Sequence, residues 1–234
     1  MSLPFFYIQQ IENRSIQLDE DTSKHIISVL RMQKGEDLLL TNGKGNKAKA
    51  QIIDDNRKRC VVEVLSRESE EPTKPTVCIA ISITKNSSRF EWFLEKATEI
   101  GINEIIPLIC ERTAKEKFRY DRMKGILTSA MLQSQQTWLP YLHQPTAFND
   151  VVKSASQQQK FIAHCLPEEK QQLSSVIRQQ SSIILIGPEG DFTQQEIDLA
   201  LQNNFVPVAL GNTRLRTETA GMVAAAILKI SHTK

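Results

Sequence analysis

The first part of the chain alternates short apolar and polar runs. The segments FFYI, SIQL, DLLLT, KAKAQII and CVVEVL have the length and the alternation that are typical of strands. One insert, near Thr22 to Met32, has the apolar spacing of a helix instead. The pattern predicts a small, mostly β domain over residues 1–70. The segment RESEEPTKPT, Arg67 to Thr76, is charged, contains two prolines and lacks periodicity, which predicts a linker.

The pattern changes after this segment. Apolar runs such as VCIAISI, EIIPLIC, KFIAHC, IILIG and VPVALG now alternate with stretches of helical periodicity, the first of which is expected to end at Gly101. Alternating strands and helices favour a parallel sheet covered by helices on both faces. We therefore expect an α/β domain over residues 71–234.

The segment LGNTRLRTETAGMVAAAILKI, Leu210 to Ile230, is polar and cationic up to Glu218 and carries no charge from Thr219 to Leu228. A helix beginning at Thr217 explains the change in part, because Glu218 then lies at the positive end of the helix dipole. One predicted face is formed by Ala220, Val223, Ala224, Ile227 and Ile230, while Met222 and Ala226 keep the opposite side apolar. Such a helix must be covered on all sides, which a dimer partner could achieve.

Composition narrows the class of protein. The 234 residues are 40% hydrophobic and 24% charged, and lysine and arginine exceed aspartate and glutamate by only 29 to 27, which neither requires nor excludes a nucleic-acid partner. The four cysteines form no CxxC pair and the four histidines have no metal-ligand spacing, so we expect reduced thiols and no metal. Without an apolar leader or an 18-residue apolar run, a cytoplasmic location and no membrane association are expected.

Two basic segments are candidates for RNA contact. NGKGNKA, Asn42 to Ala48, contains a GxGxxA pattern, but a strand and not a helix follows it, which indicates a hairpin turn rather than a dinucleotide site. Lys44, Lys47 and Lys49 bind RNA in one interpretation and form a solvated strand face in the other. The second segment, Glu111 to Lys124, reads ERTAKEKFRYDRMK and contains Arg112. Its composition fits contact with RNA phosphates and fits a polar surface loop equally well.

Two glycine loops follow predicted strands. In IILIGPEGDFTQQEI the strand ends at Gly187, and Thr193 with Glu196 has the spacing of a capping box that starts the next helix. The second loop is LGNTRLRTET. An ordinary turn is the simpler interpretation of either loop alone, but ligands of open parallel sheets bind outside the carboxyl ends of the strands. Two such loops predict a ligand site at that edge.

Four segments together resemble the RsmE family, the bacterial ribosomal RNA small subunit methyltransferases E: HIISVLRMQKGEDLLLTNGKG, ITKNSSRFEWFLEKATEIGINEIIPL, LIGPEGDFTQQE and LGNTRLRTETA. The resemblance implies a PUA-like β-barrel that helps to hold RNA, followed by a SPOUT-class methyltransferase domain with a trefoil knot. It also implies a homodimer, S-adenosylmethionine as the methyl donor, and N3 methylation of one uridine in 16S rRNA of the small ribosomal subunit. The family usually has GPEGG, and Asp191 of this chain stands in place of the last glycine. The chain also departs from the family pattern at Thr213-Arg214, Leu132 and Gln136.

The resemblance also implies functions for individual residues at positions that match the family motifs. Binding of the cofactor is expected from Leu185, Gly187, Pro188, Glu189, Gly190, Leu210, Gly211, Leu215, Thr217 and Ala220, mostly through backbone groups. Arg31 joins the lysines of the hairpin and Arg112 as an expected RNA contact.

Methylation at N3 of uridine requires removal of its proton and stabilisation of negative charge on the uracil oxygens. Arg216 is the candidate for stabilising this negative charge. The alternative is that Arg216 only fixes the loop, through a salt bridge with Glu218 or Glu189. Glu189 or Glu218 is the candidate base, provided that it is buried. Two rival functions stay open: another SPOUT enzyme acting on tRNA or on a ribose 2'-hydroxyl, and a non-catalytic RNA-binding protein.

Overall fold

The computed structural model describes residues 3–114, 117–167 and 169–231. The chain divides into two compact units, the first made of Met1–Pro72 and Met131–Leu139 and the second of Thr73–Ala130 and Pro140–Lys234. The expected division after residue 70 places Met131–Leu139 in the second domain, whereas the structure places this segment in the first unit. A pattern along the chain could not show this segment, because it is tied to the first unit by distant contacts, such as the bond from Trp138 Nε1 to the carbonyl oxygen of Glu70.

The first unit is built on a five-stranded sheet. Its strands are β1 (Phe5–Tyr7), β2 (Ser15–Gln17), β3 (Asp37–Thr41), β4 (Asn46–Asp54) and β5 (Val61–Ser69), in the spatial order β1-β3-β4-β5-β2. Each of the five predicted strands is therefore present. Along β4, Ala48, Ala50 and Ile52 are buried whereas Lys47 and Lys49 are only half-buried, which is the alternation of a strand with one face on the core.

The helical insert is shorter than expected. α1 (Glu20–Lys24) begins after Asp19, whose side chain accepts a hydrogen bond from the amide of Thr22 at 2.8 Å. His25–Val29 then forms a π-helical turn, and Arg31 has a φ of 58°. The prediction of a helix reaching Met32 was wrong because the wider turn and the left-handed residue end the regular helix, and apolar spacing does not reveal either.

The predicted linker also begins too early. Arg67, Glu68 and Ser69 belong to β5 and pair with Ala48, Lys47 and Asn46 of β4. The guanidinium of Arg67 donates hydrogen bonds to the carbonyl oxygens of Ile11 and Glu12. Hydrogen bonds with the neighbouring strand thus order a charged segment that has no strand periodicity of its own.

The glycine pattern between β3 and β4 forms a turn, as predicted. Gly43 and Gly45 have φ values of 68° and 83°, which glycine adopts without strain. A Cβ atom at Gly45 would lie 2.5 Å from the carbonyl oxygen of Glu70 and from the ring of Trp138. The second glycine is thus required by close packing, and the interpretation as a dinucleotide loop is excluded.

The second unit contains an eight-stranded sheet with the path β11-β13-β10-β12-β6-β7-β8, and β9 also pairs with β7. Its elements are β6 (Val77–Ser82), α2 (Ser87–Ile100), β7 (Glu104–Ile109), α3 (Tyr120–Gln133), β8 (Tyr141–Leu142), β9 (Thr146–Ala147), α4 (Phe148–Ser154), β10 (Gln159–Ala163), β11 (Gln171–Gln172), α5 (Leu173–Val176), β12 (Ser182–Ile186), α6 (Gln194–Gln202), β13 (Val206–Ala209) and α7 (Thr217–Ser231). The last residues of α3 belong to the first unit. All pairs in this sheet are parallel, as predicted.

Helices cover both faces of this sheet. On one face Leu185 of β12 packs in a cluster with Phe148 of α4 and Ile197 of α6. On the other face α7 packs against β6 and α2, with Gly221 close to Ile81 of β6 and to Phe93 of α2. α2 ends as predicted, because Gly101 has a φ of 84° and its amide donates to the carbonyl oxygens of Ala97 and Thr98.

α7 packs on the sheet through a different face from the predicted one. Its buried residues are Thr217, Glu218, Gly221, Ala224, Ala225 and Leu228. The close approach occurs at Gly221, where a Cβ atom would lie 2.6 Å from Cδ1 of Ile81 and 2.8 Å from the ring of Phe93. Of the predicted face only Ala224 is fully buried, and Ile230 is 65% exposed. Because the helix is apolar all round, periodicity could not identify the buried side.

Over the described residues, no helix combines the length and the apolar character needed to cross a membrane.

Candidate functional site

Three neighbouring strands end at one edge of the parallel sheet. β10 lies between β12 and β13 in the sheet and pairs with both. The loop after β12, here called the GPEG loop (187–190), and the loop after β13, here called the second loop (210–216), therefore flank the end of β10 at Ala163. Parallel strands bring their carboxyl ends to the same edge, which is the usual position of a ligand site in such sheets.

A hydrogen bond joins the GPEG loop to the residue that directly follows the second loop. The hydroxyl group of Thr217, the first residue of α7, donates to the carbonyl oxygen of Gly187 at 3.0 Å, and both atoms are buried. Gly187 itself packs against Phe192, whose ring would lie 3.1 Å from a Cβ atom at this position. The spatial proximity predicted for the two glycine loops is thus present.

Two adjoining hollows form a cleft between the loops, here called the loop cleft. One has a volume of 360 Å³ and the other of 380 Å³, within the range of about 300–1,000 Å³ that is usual for small-molecule sites. Both are lined by Ala163, Cys165, Arg214, Leu215 and Ala220. The lining combines backbone and apolar groups with a few charged side chains.

The loop cleft contains most of the residues expected to bind the cofactor. Those that line it are Gly187, Pro188, Glu189, Leu210, Gly211, Leu215, Thr217 and Ala220. The other two lie elsewhere. Leu185 is fully buried within β12, and Gly190 lines a separate hollow with Lys85 and Arg112. The role of each residue in cofactor binding stays a prediction.

Asp191 ties the GPEG loop to β10. Its carboxylate accepts a hydrogen bond from the amide of Cys165 at 2.8 Å and another from the amide of Phe192 at 2.9 Å. The backbone at Asp191 is left-handed, with a φ of 63°. The sequence showed Asp191 only as a departure from the family pattern. Its fixing role could not be found there, because Cys165 is distant along the chain.

The candidate catalytic residues have different surroundings. Arg216 is exposed and lines the loop cleft, and within the described part of the chain it forms no ion pair, so the proposed salt bridge with Glu218 or Glu189 is absent. Glu218 is only 7% exposed. Its Oε1 lies 3.7 Å from Nε of Arg89, and its Oε2 has no hydrogen-bond partner among the described residues. Glu189 is exposed, and its carboxylate accepts from the amide of Lys85 at 3.2 Å.

The basic segment from Glu111 to Lys124 is divided between several environments. Arg112 donates from Nη1 to the carbonyl oxygen of Gly190 at 2.7 Å. Arg122 in α3 forms an ion pair of 2.6 Å with Glu91 of α2. Lys115 and Glu116 lie outside the described residues.

The expected RNA contacts of the first unit are less strongly cationic than the sequence indicates. Arg31 and Lys44 are exposed. Nζ of Lys49 lies 2.7 Å from Asp37 of the neighbouring strand, and Glu68 of β5 stands opposite Lys47. Strand pairing thus brings acidic residues beside lysines that have no acid near them in sequence.

Two sequence models of known protein families match this chain and define its class of protein. The sequence model of the RNA methyltransferase domain matches residues 70–229, and that of the RNA methyltransferase PUA domain matches residues 18–65. Together they define a methyltransferase domain that follows a PUA domain.

Individual relatives identify the family. The ribosomal RNA small subunit methyltransferase E of Synechocystis is 30% identical over 226 residues, which cover 93% of this chain and 74% of that protein. A crystal structure described as a probable rRNA-methyltransferase from Porphyromonas gingivalis has a TM-score of 0.93 at 38% identity and 99% coverage of both chains. The ribosomal RNA small subunit methyltransferase E of Neisseria gonorrhoeae, bound to S-adenosyl methionine, has a TM-score of 0.87 at 26% identity and 98% coverage of both chains. The chain belongs to the ribosomal RNA small subunit methyltransferase E family.

Proposed function

We propose that this protein is a cytoplasmic methyltransferase that transfers a methyl group from S-adenosylmethionine to N3 of a uridine in the 16S rRNA of the small ribosomal subunit. The observation that carries the proposal is the loop cleft, formed by two loops that the bond between Thr217 and Gly187 joins. A relative with the same fold supports the proposed identity of the substrate and of the donor. The Neisseria protein is named for the small subunit RNA and is bound to S-adenosyl methionine.

The residues of the loop cleft fit this donor. Pro188, Leu215 and Ala220 give apolar contact for a purine ring. Glu189 and Asp191 give acidic groups for the ammonium group of its amino acid part. When bound, S-adenosylmethionine supplies a methyl group on a positively charged sulfur that leaves as a neutral thioether. The chain has to hold this group in line with the acceptor nitrogen and exclude water from the site.

The acceptor requires two further groups. As the bond between N3 and the methyl carbon forms, the N3 proton must pass to a base, and Glu218 is the better candidate because it is buried and its Oε2 is without a partner among the described residues. Arg216 lies at the loop cleft, forms no ion pair with any described residue, and can stabilise negative charge on a uracil oxygen. Nε of Arg89 lies 3.7 Å from Oε1 of Glu218, and this ion pair orients the carboxylate.

We further propose a homodimer and a trefoil knot in the second unit. The side of α7 that faces away from the sheet keeps Met222, Val223 and Ile227 only half-buried, and Ile230 exposed. A second copy of the chain would remove this apolar surface from water. Light scattering after gel filtration should give twice the mass of 26.5 kDa, and Ile230→Glu should shift the protein toward the monomer.

The substrate is tested by offering labelled donor with isolated small subunits, bare 16S rRNA and tRNA. Label in the small subunit RNA, mapped by mass spectrometry to N3 of one uridine, is the expected result. Label in tRNA or on a ribose hydroxyl would replace the proposal by another SPOUT activity. Donor binding without transfer to any RNA, or no donor binding by calorimetry, would indicate a non-catalytic RNA-binding protein.

A further inference from the structure

A second hollow adjoins the GPEG loop and carries positive charge. This hollow, here called the cationic hollow, has a volume of 740 Å³. Lys85, Arg89 and Arg112 line it, and among the described residues of its lining Glu189 is the acidic one. It also includes Asn86, the N-cap of the 14-residue helix α2, so the positive end of that helix adds to the potential.

Contacts hold the two arginines of this hollow, and among the described residues the contact of Arg89 with Glu218 is the ion pair that involves its cations. Arg112 is fixed by a neutral acceptor, the carbonyl oxygen of Gly190 at 2.7 Å, so its charge is retained. Arg89 shares its charge with Glu218 over a long 3.7 Å contact, and its side chain is 39% exposed. Lys85 is exposed, and its backbone amide, not its ammonium group, contacts Glu189. A group with negative charge would therefore find three donors in one concave surface.

The cationic hollow is next to the proposed site of chemistry. Glu189 lines both this hollow and the loop cleft, and Arg89 connects the hollow to the candidate base Glu218. An anionic chain lying in the hollow would thus pass beside the donor across the GPEG loop. By contrast, a hollow of 590 Å³ between α4 and α6 is lined by Glu111, Glu196 and Asp198 and would repel such a chain.

We propose that the cationic hollow binds the phosphodiester backbone of single-stranded RNA next to the target nucleotide, with Lys85 and Arg112 on the phosphates and Arg89 positioning Glu218. The inference rests on the proposed function, because it assigns the RNA side of the same site. Phosphates are the groups that lysine and arginine bind in nucleic acids regardless of sequence, and they fix the register in which a base is presented. The hollow therefore determines how the substrate is held and leaves donor binding to the loop cleft.

The test is a comparison of Lys85→Gln, Arg112→Gln and the double variant with wild-type protein. Two readouts are used: methylation kinetics with small subunits isolated from cells that lack this enzyme, and anisotropy of a fluorescent single-stranded RNA at several salt concentrations. We expect the double variant to raise the KM for small subunits roughly tenfold with kcat little changed, and to reduce the slope of log K against log salt by about 1.4, which is about 0.7 for each lost phosphate contact on a single strand.

Two control variants separate charge from structure. Lys153→Gln removes an exposed lysine of α4 and should leave the KM and the salt slope at wild-type values. Arg112→Lys keeps the charge and should retain most of the salt slope. If Arg112→Gln also weakens donor binding, it has loosened the GPEG loop, and Lys85→Gln alone then decides.

A wild-type KM and salt slope in Lys85→Gln and in the double variant, with donor binding intact, would overturn the role of the cationic hollow and leave the methyltransferase function standing. Failure of the wild-type protein to methylate any RNA would instead refute the proposed function. The anisotropy slopes would still show whether the hollow binds RNA.

Discussion

The hydroxyl group of Thr217 donates a 3.0 Å hydrogen bond to the carbonyl oxygen of Gly187, and this bond connects the start of α7 with the end of β12. Thr217 and Gly187 are far apart in sequence, but both line the loop cleft. The same threonine that begins the last helix therefore also sets the width of the proposed donor site.

Loss of this bond should weaken donor binding. Thr217→Val keeps the shape of the side chain but leaves a buried carbonyl oxygen without its donor, at a cost of about 1–3 kcal/mol. We expect the donor Kd, measured by calorimetry, to rise roughly tenfold, which corresponds to about 1.4 kcal/mol. Thr217→Ser should bind nearly as wild type, and Thr219→Val on the same helix serves as the control. Equal donor affinity in Thr217→Val and Thr217→Ser would contradict the role of the bond.

Arg216→Ala should reduce turnover without affecting the fold. The side chain is exposed and lacks an ion pair within the described residues, so its removal leaves no buried charge behind. If it stabilises the uracil oxygen in the transition state, kcat should fall by about 100-fold or more, as for the loss of a donor to a developing oxyanion. The thermal midpoint of unfolding should stay within error of wild type. A variant with normal kcat would show that Arg216 does not act on the acceptor.

Glu218→Gln tests the proposed base. The substitution keeps the size of the side chain and removes its ability to accept a proton, so kcat should fall by about 100-fold to 10,000-fold. Donor binding should be unchanged, since Glu218 does not line the loop cleft. The matched change Glu189→Gln should have a much smaller effect on kcat. The reverse order of the two effects would transfer the role of base to Glu189.

Asp191 should stabilise the fold through its two backbone contacts. Asp191→Ala removes acceptors for the amides of Cys165 and Phe192 and places alanine at a φ of 63°. The free energy of unfolding should fall by about 0.5–1.5 kcal/mol for each lost hydrogen bond. Asp191→Gly loses the same bonds but adopts the left-handed backbone without strain, so it should be more stable than the alanine variant by about 1 kcal/mol. Urea denaturation measures both, and equal stabilities would show that the backbone strain has no energetic cost here.

The cysteines should differ sharply in reactivity. Burial raises the pKa of Cys60 to about 11 and raises the pKa values of Cys78 and Cys110 as well, so these thiols form little of the reactive thiolate at neutral pH. Cys165 is exposed and lines the loop cleft. Mass spectrometry after treatment with N-ethylmaleimide should find modification at Cys165 first, and saturating S-adenosylmethionine should slow it. A rate independent of the donor would place the donor outside the loop cleft.

The sequence by itself determined the elements that depend on local patterns. Period-two alternation found each strand of the first unit, the capping box at Thr193 and Glu196 is present, and α2 ends at Gly101. The two glycine loops were identified because strand ends leave a recognisable pattern, and the motifs within them carried the resemblance to the family that the comparisons confirm.

Only the tertiary structure decided which residues face one another. The buried side of α7 depends on the contact of Gly221 with Ile81, the ion pair of Lys49 depends on Asp37 in the next strand, and the cationic hollow brings Lys85 and Arg89 together with the distant Arg112. These are contacts between residues distant along the chain. Their energies depend on packing and on charges across space, and neither leaves a periodic signal in the sequence.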